Sequence, residues 1–347
     1  MKITNKWNLP LPLVDAVTFD SYRPSTDRDY TVSEVNSPPR IRILRKVYDA
    51  EIEEDVTDRI WALFGSAVHE ILYKSAYKRM KAWMRSIIGK ATLTPPPYRV
   101  FEHRLLRSIK VGDREYVIAG KPDLIDSDGQ LEDWKCTTSW KPAMGDYGDW
   151  EKELNLHAWL AEGEGVKVKS IAAVMILRDW QEMKAVREDD YPQQRVIRQK
   201  LPLWSEAIVE TYLKNRIELH ATADVLRDAY EASDPKDPIL LEALPECSSA
   251  ERWETAPTFA VMKKDGKRAK KVFKPANMTP EAVAAEHADA ESYAVQANSA
   301  VGKQIFSVEV RPGESKRCSK FCDVAKYCSQ YREIQKTVEA ANEAAAG

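Results

Sequence analysis

Two aspartates, Asp123 and Asp133, lie five residues on either side of Asp128 in the sequence. The pair Asp128-Gly129 separates two short apolar segments, a pattern typical of a β-hairpin turn. If the strands fold back about Asp128, Asp123 and Asp133 face each other with Cβ atoms about 4.5–5.5 Å apart. Two like charges at that distance destabilise a sheet unless one is neutralised or a cation lies between them. The segment therefore predicts a sheet with an acidic centre.

Lys135 adds a cation to this centre. Side chains alternate between the faces of a strand, so Lys135 is expected on the same face as Asp133. Two carboxylates and an ammonium group on one face suit a hard divalent cation with a phosphate group nearby. The alternative is an ordinary acidic hairpin with its charges solvated around the turn. The symmetric placement of the two aspartates favours the metal site.

The rest of the chain predicts an α/β fold. Apolar residues recur at helical spacing over residues 55–87, and three prolines at 95–97 prevent the helix from continuing. Strands are predicted at residues 100–105, 115–119, 124–125, 131–137 and 171–177, and helices at 150–160 and 202–230. Because strands and helices alternate along the chain, α/β is the expected class.

Composition limits the possible partners. Apolar residues make up 44% of the chain, enough for a substantial core, and the formal net charge is only -2. Any nucleic-acid binding must therefore come from a local basic patch or from a bound metal ion. The longest apolar run, residues 171–177, is too short to span a bilayer, and the N-terminus lacks the apolar stretch of a signal peptide. We therefore expect a soluble cytoplasmic protein with no membrane partner.

A break in composition at residues 233–238, which include two prolines, suggests a domain boundary. We expect a core over residues 1–235, a cysteine-rich subdomain over 236–335 and a flexible tail over 336–347.

Four of the five cysteines lie in the predicted subdomain. Cys318, Cys322 and Cys328 fall within eleven residues, and Cys247 is the natural fourth ligand. Four thiolates that converge on one point can bind either a [4Fe-4S] cluster or structural Zn²⁺. Cys136, on the strand face opposite Asp133, is expected to be a small buried apolar residue.

The same subdomain contains a strongly cationic hairpin around Asp265-Gly266, with seven basic residues and one acid over residues 259–274. A solvated hairpin with lysines at its edge is one interpretation. We favour an arm that contacts DNA phosphates. Its candidate DNA-contacting residues are Lys263, Lys264, Lys267, Arg268, Lys270 and Lys271.

Three ordered segments resemble one nuclease family. Gly120-Lys121-Pro122-Asp123 followed by Asp133-Trp134-Lys135 resembles the PD-(D/E)xK motif of RecB- and AddB-type, CRISPR-associated and phage exonucleases. Residues 61–70 resemble the family's G-x-x-x-H helix, with Gly65 allowing close approach to the sheet and His69 reaching the metal. Residues 150–157 occupy the place of its Q-x-x-x-Y helix, with Glu153 and His157 instead of Gln and Tyr. The resemblance covers roughly residues 33–180.

The resemblance implies a restriction-endonuclease-like core, a central mixed sheet flanked by helices, with a C-terminal cysteine-rich subdomain. It implies that Asp123, Asp133 and Lys135 are catalytic, with Lys135 orienting or helping to deprotonate the attacking water. Mg²⁺ or Mn²⁺ would be bound by Asp123, Asp133, His69 and the carbonyl of Trp134, with Glu102 a further candidate.

The remaining predicted site residues have less specific roles. Glu153 and His157 would contact DNA or hold Lys135, and a solvated helix face is the alternative for each. The resemblance favours iron–sulfur over zinc because RecB-type nucleases often carry such a cluster. Here, however, the first gap between cysteines is three residues rather than two, and Cys247 follows the core instead of preceding it.

The function expected from the resemblance is a metal-dependent exonuclease on linear double- or single-stranded DNA, in phage recombination or DNA processing. It would act in the cytoplasm, that of the host if the protein is phage-encoded. An endonuclease or branched-DNA nuclease with the same centre, or a non-catalytic DNA-binding scaffold, are the alternatives. The chain lacks the motif G-x-x-x-x-G-K-[ST], so ATP-driven unwinding would require a partner helicase. A single-strand annealing protein is another expected partner.

Overall fold

The computed structural model describes residues 1–19, 26–88, 90 and 95–346, with side chains described through residue 340. It contains two compact units. The first comprises Met1–Pro39 and Asp49–Val225, and the second comprises Arg40–Tyr48 and Leu226–Gly347. The division at Val225 falls inside a long helix, ten residues before the boundary at residue 235 that the sequence predicts.

The strands alternate with helices along most of the described chain. They are β1 (Lys2–Thr4), β2 (Tyr30–Thr31), β3 (Glu53–Asp55), β4 (Tyr98–Phe101), β5 (Leu105–Val111), β6 (Arg114–Gly120), β7 (Leu124–Asp126), β8 (Gln130–Thr137), β9 (Ser170–Leu177), β10 (Val196–Leu201), β11 (Thr258–Lys263), β12 (Ala269–Phe273) and β13 (Phe306–Arg311).

The α-helices vary widely in length. They are α1 (Leu11–Thr18), α2 (Val32–Asn36), α3 (Pro39–Val47), α4 (Ile60–Ile87), α5 (Trp140–Met144), α6 (Gly148–Gly163), α7 (Glu182–Arg187), α8 (Glu206–Ala232), α9 (Pro238–Glu242), α10 (Pro280–Val301), α11 (Lys316–Lys320) and α12 (Ser329–Ala346). Short 3₁₀ helices span Asp49–Glu51, Val56–Arg59 and Ala325–Tyr327. No helix in the described part of the chain is both long enough and apolar enough to cross a membrane.

The first unit is built on a five-stranded sheet in the order β10-β9-β8-β7-β4. Strands β8 and β9 are parallel, whereas the other neighbouring pairs are antiparallel. Strand β9 is buried along most of its length because helix α6 packs against it and contributes Leu154, Leu156 and Trp159 to the core. The chain is thus α/β, with mixed sheets flanked by helices, as the alternation of elements in the sequence predicts.

The predicted acidic hairpin is confirmed. Strands β7 and β8 pair with Leu124 opposite Glu132 and Ile125 opposite Leu131. The same register, continued by one residue, places Asp123 opposite Asp133. Gly129 adopts a left-handed φ of 84° in the turn, a conformation that glycine accepts without steric cost.

The strand predicted over residues 100–105 is interrupted. Strand β4 ends at Phe101 in the central sheet, and β5 begins at Leu105 in a separate three-stranded sheet of order β2-β6-β5. Glu102 lies at the break with a left-handed φ of 46°, and its N–H donates to the carbonyl of Asp123 at 3.0 Å. A left-handed residue cannot continue a strand, and apolar alternation in the sequence does not reveal it.

The second unit contains a three-stranded antiparallel sheet of order β12-β11-β13. Helix α10 packs on it through Ala290 and Ala294 against Phe259, Val261 and Phe273. The predicted basic hairpin corresponds to β11 and β12, whereas the third strand, β13, is absent from the sequence prediction.

The end of the chain, where the sequence predicts a flexible tail over residues 336–347, is largely helical. Helix α12 continues through Ala346, and Gly347 lies outside the described residues. Glutamate, lysine, glutamine and alanine, which are frequent here, have high intrinsic helix propensity, and this accounts for the continued helix.

Candidate metal centre

Strand β8 presents two charged side chains on one face. The Lys135 Nζ atom lies 2.8 Å from Asp133 Oδ2 and 2.8 Å from Glu153 Oε2, which projects from helix α6. Burial alone would lower the pKa of Lys135, but the charges of Asp133 and Glu153 outweigh that effect and raise it above its usual range. The ammonium group is therefore protonated and held between two carboxylates.

Asp133 is buried, and burial raises its pKa to about 7. Lys135 acts in the opposite direction, while the nearby carboxylates of Glu153 and Asp123 contribute to the increase. An acid that is desolvated and lies close to other carboxylates holds its proton more tightly than an acid in water. Asp133 therefore shows the raised pKa expected of one acid in an opposed, buried pair.

Asp123 lies just before β7 and is also buried. Its Oδ2 atom accepts a hydrogen bond from the Trp134 N–H at 2.7 Å, which fixes the carboxylate against the neighbouring strand. Its other oxygen, Oδ1, is directed to His69.

His69 extends from helix α4 into the acidic centre. Its Nε2 atom lies 2.8 Å from the carbonyl oxygen of Trp134. Its Nδ1 atom lies 3.2 Å from Asp123 Oδ1 and 3.5 Å from Glu102 Oε1. Hydrogen bonds to Asp123 and Glu102 raise the pKa of His69 to about 10, against the effect of burial. The imidazolium thus donates from both ring nitrogens.

Glu102 is brought into the centre by the break after β4. Its carboxylate forms an ion pair with Lys121 in addition to its contact with His69. Burial would raise the pKa of Glu102, but the hydrogen bonds from His69 and Lys121 outweigh burial and lower it. Lys121 is a site residue that the sequence analysis does not single out, although it lies within the motif.

Three of the predicted metal ligands converge. In the described part of the chain, the group of three or more potential ligand atoms within 4.8 Å of one another is His69, Glu102 and Asp123. Asp133 is not a member of this group, and its Oδ2 atom instead pairs with Lys135 Nζ. The Trp134 carbonyl oxygen lies next to the group, 2.8 Å from His69 Nε2. Carboxylate and carbonyl oxygens with one imidazole nitrogen form a donor set suited to Mg²⁺ or Mn²⁺. The residues present therefore fit such an ion.

The expected role of Gly65 is wrong. A Cβ atom added at Gly65 would meet no heavy atom within 4 Å, so the glycine is not needed for close packing. The close approach occurs instead at Gly120, where a Cβ atom would lie 2.6 Å from Leu160 Cδ1, 2.8 Å from Val32 Cγ2 and 2.9 Å from His157 Cδ2. In the sequence, this close packing is indicated by a glycine directly before Lys121-Pro122-Asp123.

Glu153 and His157, both in helix α6, have different environments. Glu153 holds Lys135, which was one of its two expected roles. His157 is only 6% exposed, and its Nδ1 atom has no hydrogen-bond partner among the described residues. Burial also lowers the pKa of His157. This burial argues against the expected contact of His157 with DNA and favours packing beneath the site.

The four late cysteines lie together in the second unit. Cys247, Cys318, Cys322 and Cys328 line one cavity. Burial raises the pKa of Cys247 to about 12 and that of Cys318 to about 11, and neighbouring thiols add to both shifts. None of these four cysteines forms a disulfide bond. Gln330 fixes Cys247 by accepting its N–H and donating to its carbonyl, each at 2.9 Å.

The structure also places Cys136 and the six basic residues of the predicted hairpin. Cys136 is partly buried in β8 of the first unit, outside the cysteine cluster. The six candidate cations of the hairpin are all exposed: Lys263, Lys264, Lys267, Arg268, Lys270 and Lys271.

Comparisons with known proteins give little further information. No protein-family model matches the chain, and no curated protein matches it. Among solved structures, the crystal structure of SSO0001 is similar at 18% identity, covering 60% of this chain and 84% of that one, with a TM-score of 0.37. A similarity of this size assigns neither a family nor a fold.

Proposed function

We propose that this protein is a metal-dependent nuclease that hydrolyses phosphodiester bonds in DNA. The observation that carries the proposal is the arrangement of Asp123 opposite Asp133, with Lys135 beside Asp133 and with His69 and Glu102 beside Asp123. A solvated acidic hairpin would not bury both aspartates or surround them with a lysine and a histidine. Burying these charged side chains costs folding free energy, and a site that binds a metal ion would explain why they are buried.

His69, Glu102, Asp123, Asp133 and the Trp134 carbonyl would hold Mg²⁺ or Mn²⁺. The bound ion would supply Lewis acidity and a lowered pKa for bound water. The charges of Asp133 and Glu153 raise the pKa of Lys135, so its side chain enters the site as an ammonium group. Its ammonium group would orient the attacking water and offset the negative charge that develops on the phosphate. Glu153 would hold Lys135 in that position.

An exonuclease is favoured, as the resemblance of the motif implies. The alternatives are an endonuclease or branched-DNA nuclease that uses the same residues, and a scaffold that binds DNA without cleaving it. A scaffold would have no need for Lys135 held between two carboxylates at 2.8 Å each.

The test is cleavage of end-labelled linear duplex and single-stranded DNA beside a covalently closed circle, with Mg²⁺ or EDTA. Loss of the linear forms only with Mg²⁺, with the circle spared, would support the exonuclease. Cutting of the circle would support the endonuclease instead. DNA binding without cleavage of any substrate would overturn the nuclease proposal and leave the scaffold.

The cysteine cluster supports a second part of the proposal, a bound metal centre. Cys247, Cys318, Cys322 and Cys328 line one cavity, and four converging thiolates can hold either a [4Fe-4S] cluster or Zn²⁺. The resemblance to RecB-type nucleases favours the iron–sulfur cluster. Metal analysis and the visible absorption of protein purified without oxygen distinguish iron from zinc. Cys322→Ser should lower both the metal content and the melting temperature.

The exposed cations of the basic hairpin support an electrostatic contact with DNA phosphates. Lys270 and Lys271 also lie over the rings of Phe306 and Phe273, which fixes part of this surface. Replacing Lys267 and Arg268 with glutamine should weaken the binding of all DNA sequences to a similar extent. It should also make the affinity for DNA depend less on salt concentration. An unchanged salt dependence would refute this contact.

A further inference from the structure

An exposed aromatic and cationic surface lies at the N-terminal end of helix α4. Trp61 is 55% exposed and Phe64 is 41% exposed, although both are large apolar side chains. Their rings meet edge to face, with centroids 6.2 Å apart. The guanidinium carbon of Arg178 lies 4.2 Å from the centroid of the Trp61 ring. We call Trp61, Phe64 and Arg178 the aromatic platform.

Arg178 is available to bind an anion. It is exposed, and within the described part of the chain no carboxylate forms an ion pair with its guanidinium group. Its backbone N–H donates to the carbonyl of Thr137 at 2.9 Å. Thr137 ends strand β8, two residues after Lys135, so Arg178 lies at the carboxyl end of β8, close along the strand to Lys135.

Helix α4 connects the platform to the acidic centre. Trp61, Gly65 and His69 are spaced four residues apart, so they follow one another on successive turns along one side of the helix. The distance from Trp61 to His69 along the axis is about 12 Å, the length of three to four stacked nucleotides. Gly65 leaves the surface between them open, since a Cβ atom there would meet nothing within 4 Å.

We infer that the aromatic platform binds a single strand of DNA three to four nucleotides from the scissile phosphate, with a base stacked on Trp61 and a phosphate held by Arg178. Each nucleotide of a single strand offers an exposed aromatic face and one negative charge, and the platform presents a complementary aromatic face and cation. In a duplex the bases are stacked and paired, so their faces are not available to Trp61. The inference takes the acidic centre from the proposed function and adds the form of the substrate, an unpaired strand.

The test is the binding of a labelled single-stranded oligothymidine and of a blunt duplex of equal length, measured by fluorescence anisotropy in EDTA so that no cleavage occurs. Trp61→Ala should weaken single-strand binding about tenfold and duplex binding by less than about twofold, because one stacked base is lost. Trp61→Phe should retain most of the affinity. Arg178→Ala should weaken binding and lower the salt slope for the single strand by about 0.7.

Tyr77 provides a matched control on the same helix. It is 43% exposed and carries Lys81 Nζ at 4.5 Å from its ring centroid, a pair chemically similar to Trp61 and Arg178. It lies sixteen residues from Trp61, on nearly the opposite side of the helix. Tyr77→Ala should leave the affinity for both DNA forms unchanged.

An unchanged single-strand affinity in Trp61→Ala, or an equal loss for both DNA forms, would overturn the inference. A loss as large in Tyr77→Ala would do the same. Cleavage with Mg²⁺ is assayed separately. If the wild type cleaves DNA but Trp61→Ala binds the single strand as tightly as the wild type, the platform alone is refuted. If Trp61→Ala loses single-strand binding but the wild type cleaves no DNA, the nuclease proposal is refuted and the platform is supported.

Discussion

The Nε2 atom of His69 lies 2.8 Å from the main-chain carbonyl of Trp134. The other ring nitrogen contacts Asp123 and Glu102, so one protonated imidazole engages the carbonyl and both carboxylates at once. Those same three oxygen donors belong to the set suited to a divalent cation. Metal binding must therefore displace at least one proton from His69.

This competition predicts how metal affinity depends on pH. The pKa of His69 is raised to about 10, so the ring is protonated at neutral pH and loses its proton only as pH rises. The apparent affinity for Mn²⁺ should therefore increase with pH, about tenfold per unit for each displaced proton. Asp133, with a pKa raised to about 7, makes the affinity for Mn²⁺ depend still more steeply on pH below neutral pH.

Calorimetric titration with Mn²⁺ at several pH values in buffers of different ionisation enthalpy measures both the affinity and the protons released. His69→Ala should bind the metal more weakly and with a flatter dependence above pH 7, because the competing proton is gone. A wild-type affinity independent of pH would contradict the assignment of His69.

Lys135 should be needed for cleavage and for stability. Lys135→Met removes the donor to the phosphate, so cleavage should fall by roughly 10²–10³-fold. The variant also leaves Asp133 and Glu153 facing each other without a cation, which should cost about 3 kcal/mol of unfolding free energy. Adding Glu153→Gln to Lys135→Met should restore part of this stability. Equal stability of wild type and Lys135→Met in urea denaturation would show that the ion pairs are not formed.

Glu153 offers a test that separates its two expected roles. As a residue that positions Lys135, Glu153→Gln should reduce kcat about tenfold and leave the affinity for DNA unchanged. As a DNA contact, it would change the affinity instead. Lys152→Met is the matched control, since Lys152 is the neighbouring residue of α6 and pairs with Asp149 at 3.3 Å rather than with Lys135. That control should behave as wild type in both measurements.

Glu102 combines an unusual backbone with a charge at the centre. Asparagine tolerates the left-handed conformation observed at φ 46°, so Glu102→Asn should keep the chain geometry while removing the negative charge. Affinity for Mn²⁺ should fall about tenfold with little change in melting temperature. A large loss of stability with unchanged metal affinity would mean that Glu102 acts only through its ion pair with Lys121.

The hairpin could be predicted from sequence because its turn and register follow from local chemistry. Asp128-Gly129 specifies the turn, and the spacing of Asp123 and Asp133 follows from strand periodicity. Glu102 could be assigned only as a further candidate, because its position depends on a left-handed residue between two strands of different sheets. The environment of His157 could not be predicted, since a histidine on a helix has no local pattern that distinguishes a buried ring from an exposed one.

Two glycines give a paired test of the packing around the centre. Gly120→Ala places a Cβ atom 2.6 Å from Leu160 Cδ1 and 2.8 Å from Val32 Cγ2, contacts that buried side chains cannot relieve freely. We expect a loss of about 1–3 kcal/mol in unfolding free energy, as for other overpacked cores. Gly65→Ala meets no such contact and lies in helix α4, so it should raise stability by up to about 1 kcal/mol. Urea denaturation of both variants measures the difference. A destabilised Gly65→Ala with an unaffected Gly120→Ala would contradict the packing described here, because it would mean that α4 approaches the sheet at Gly65 and that β6 is open at Gly120.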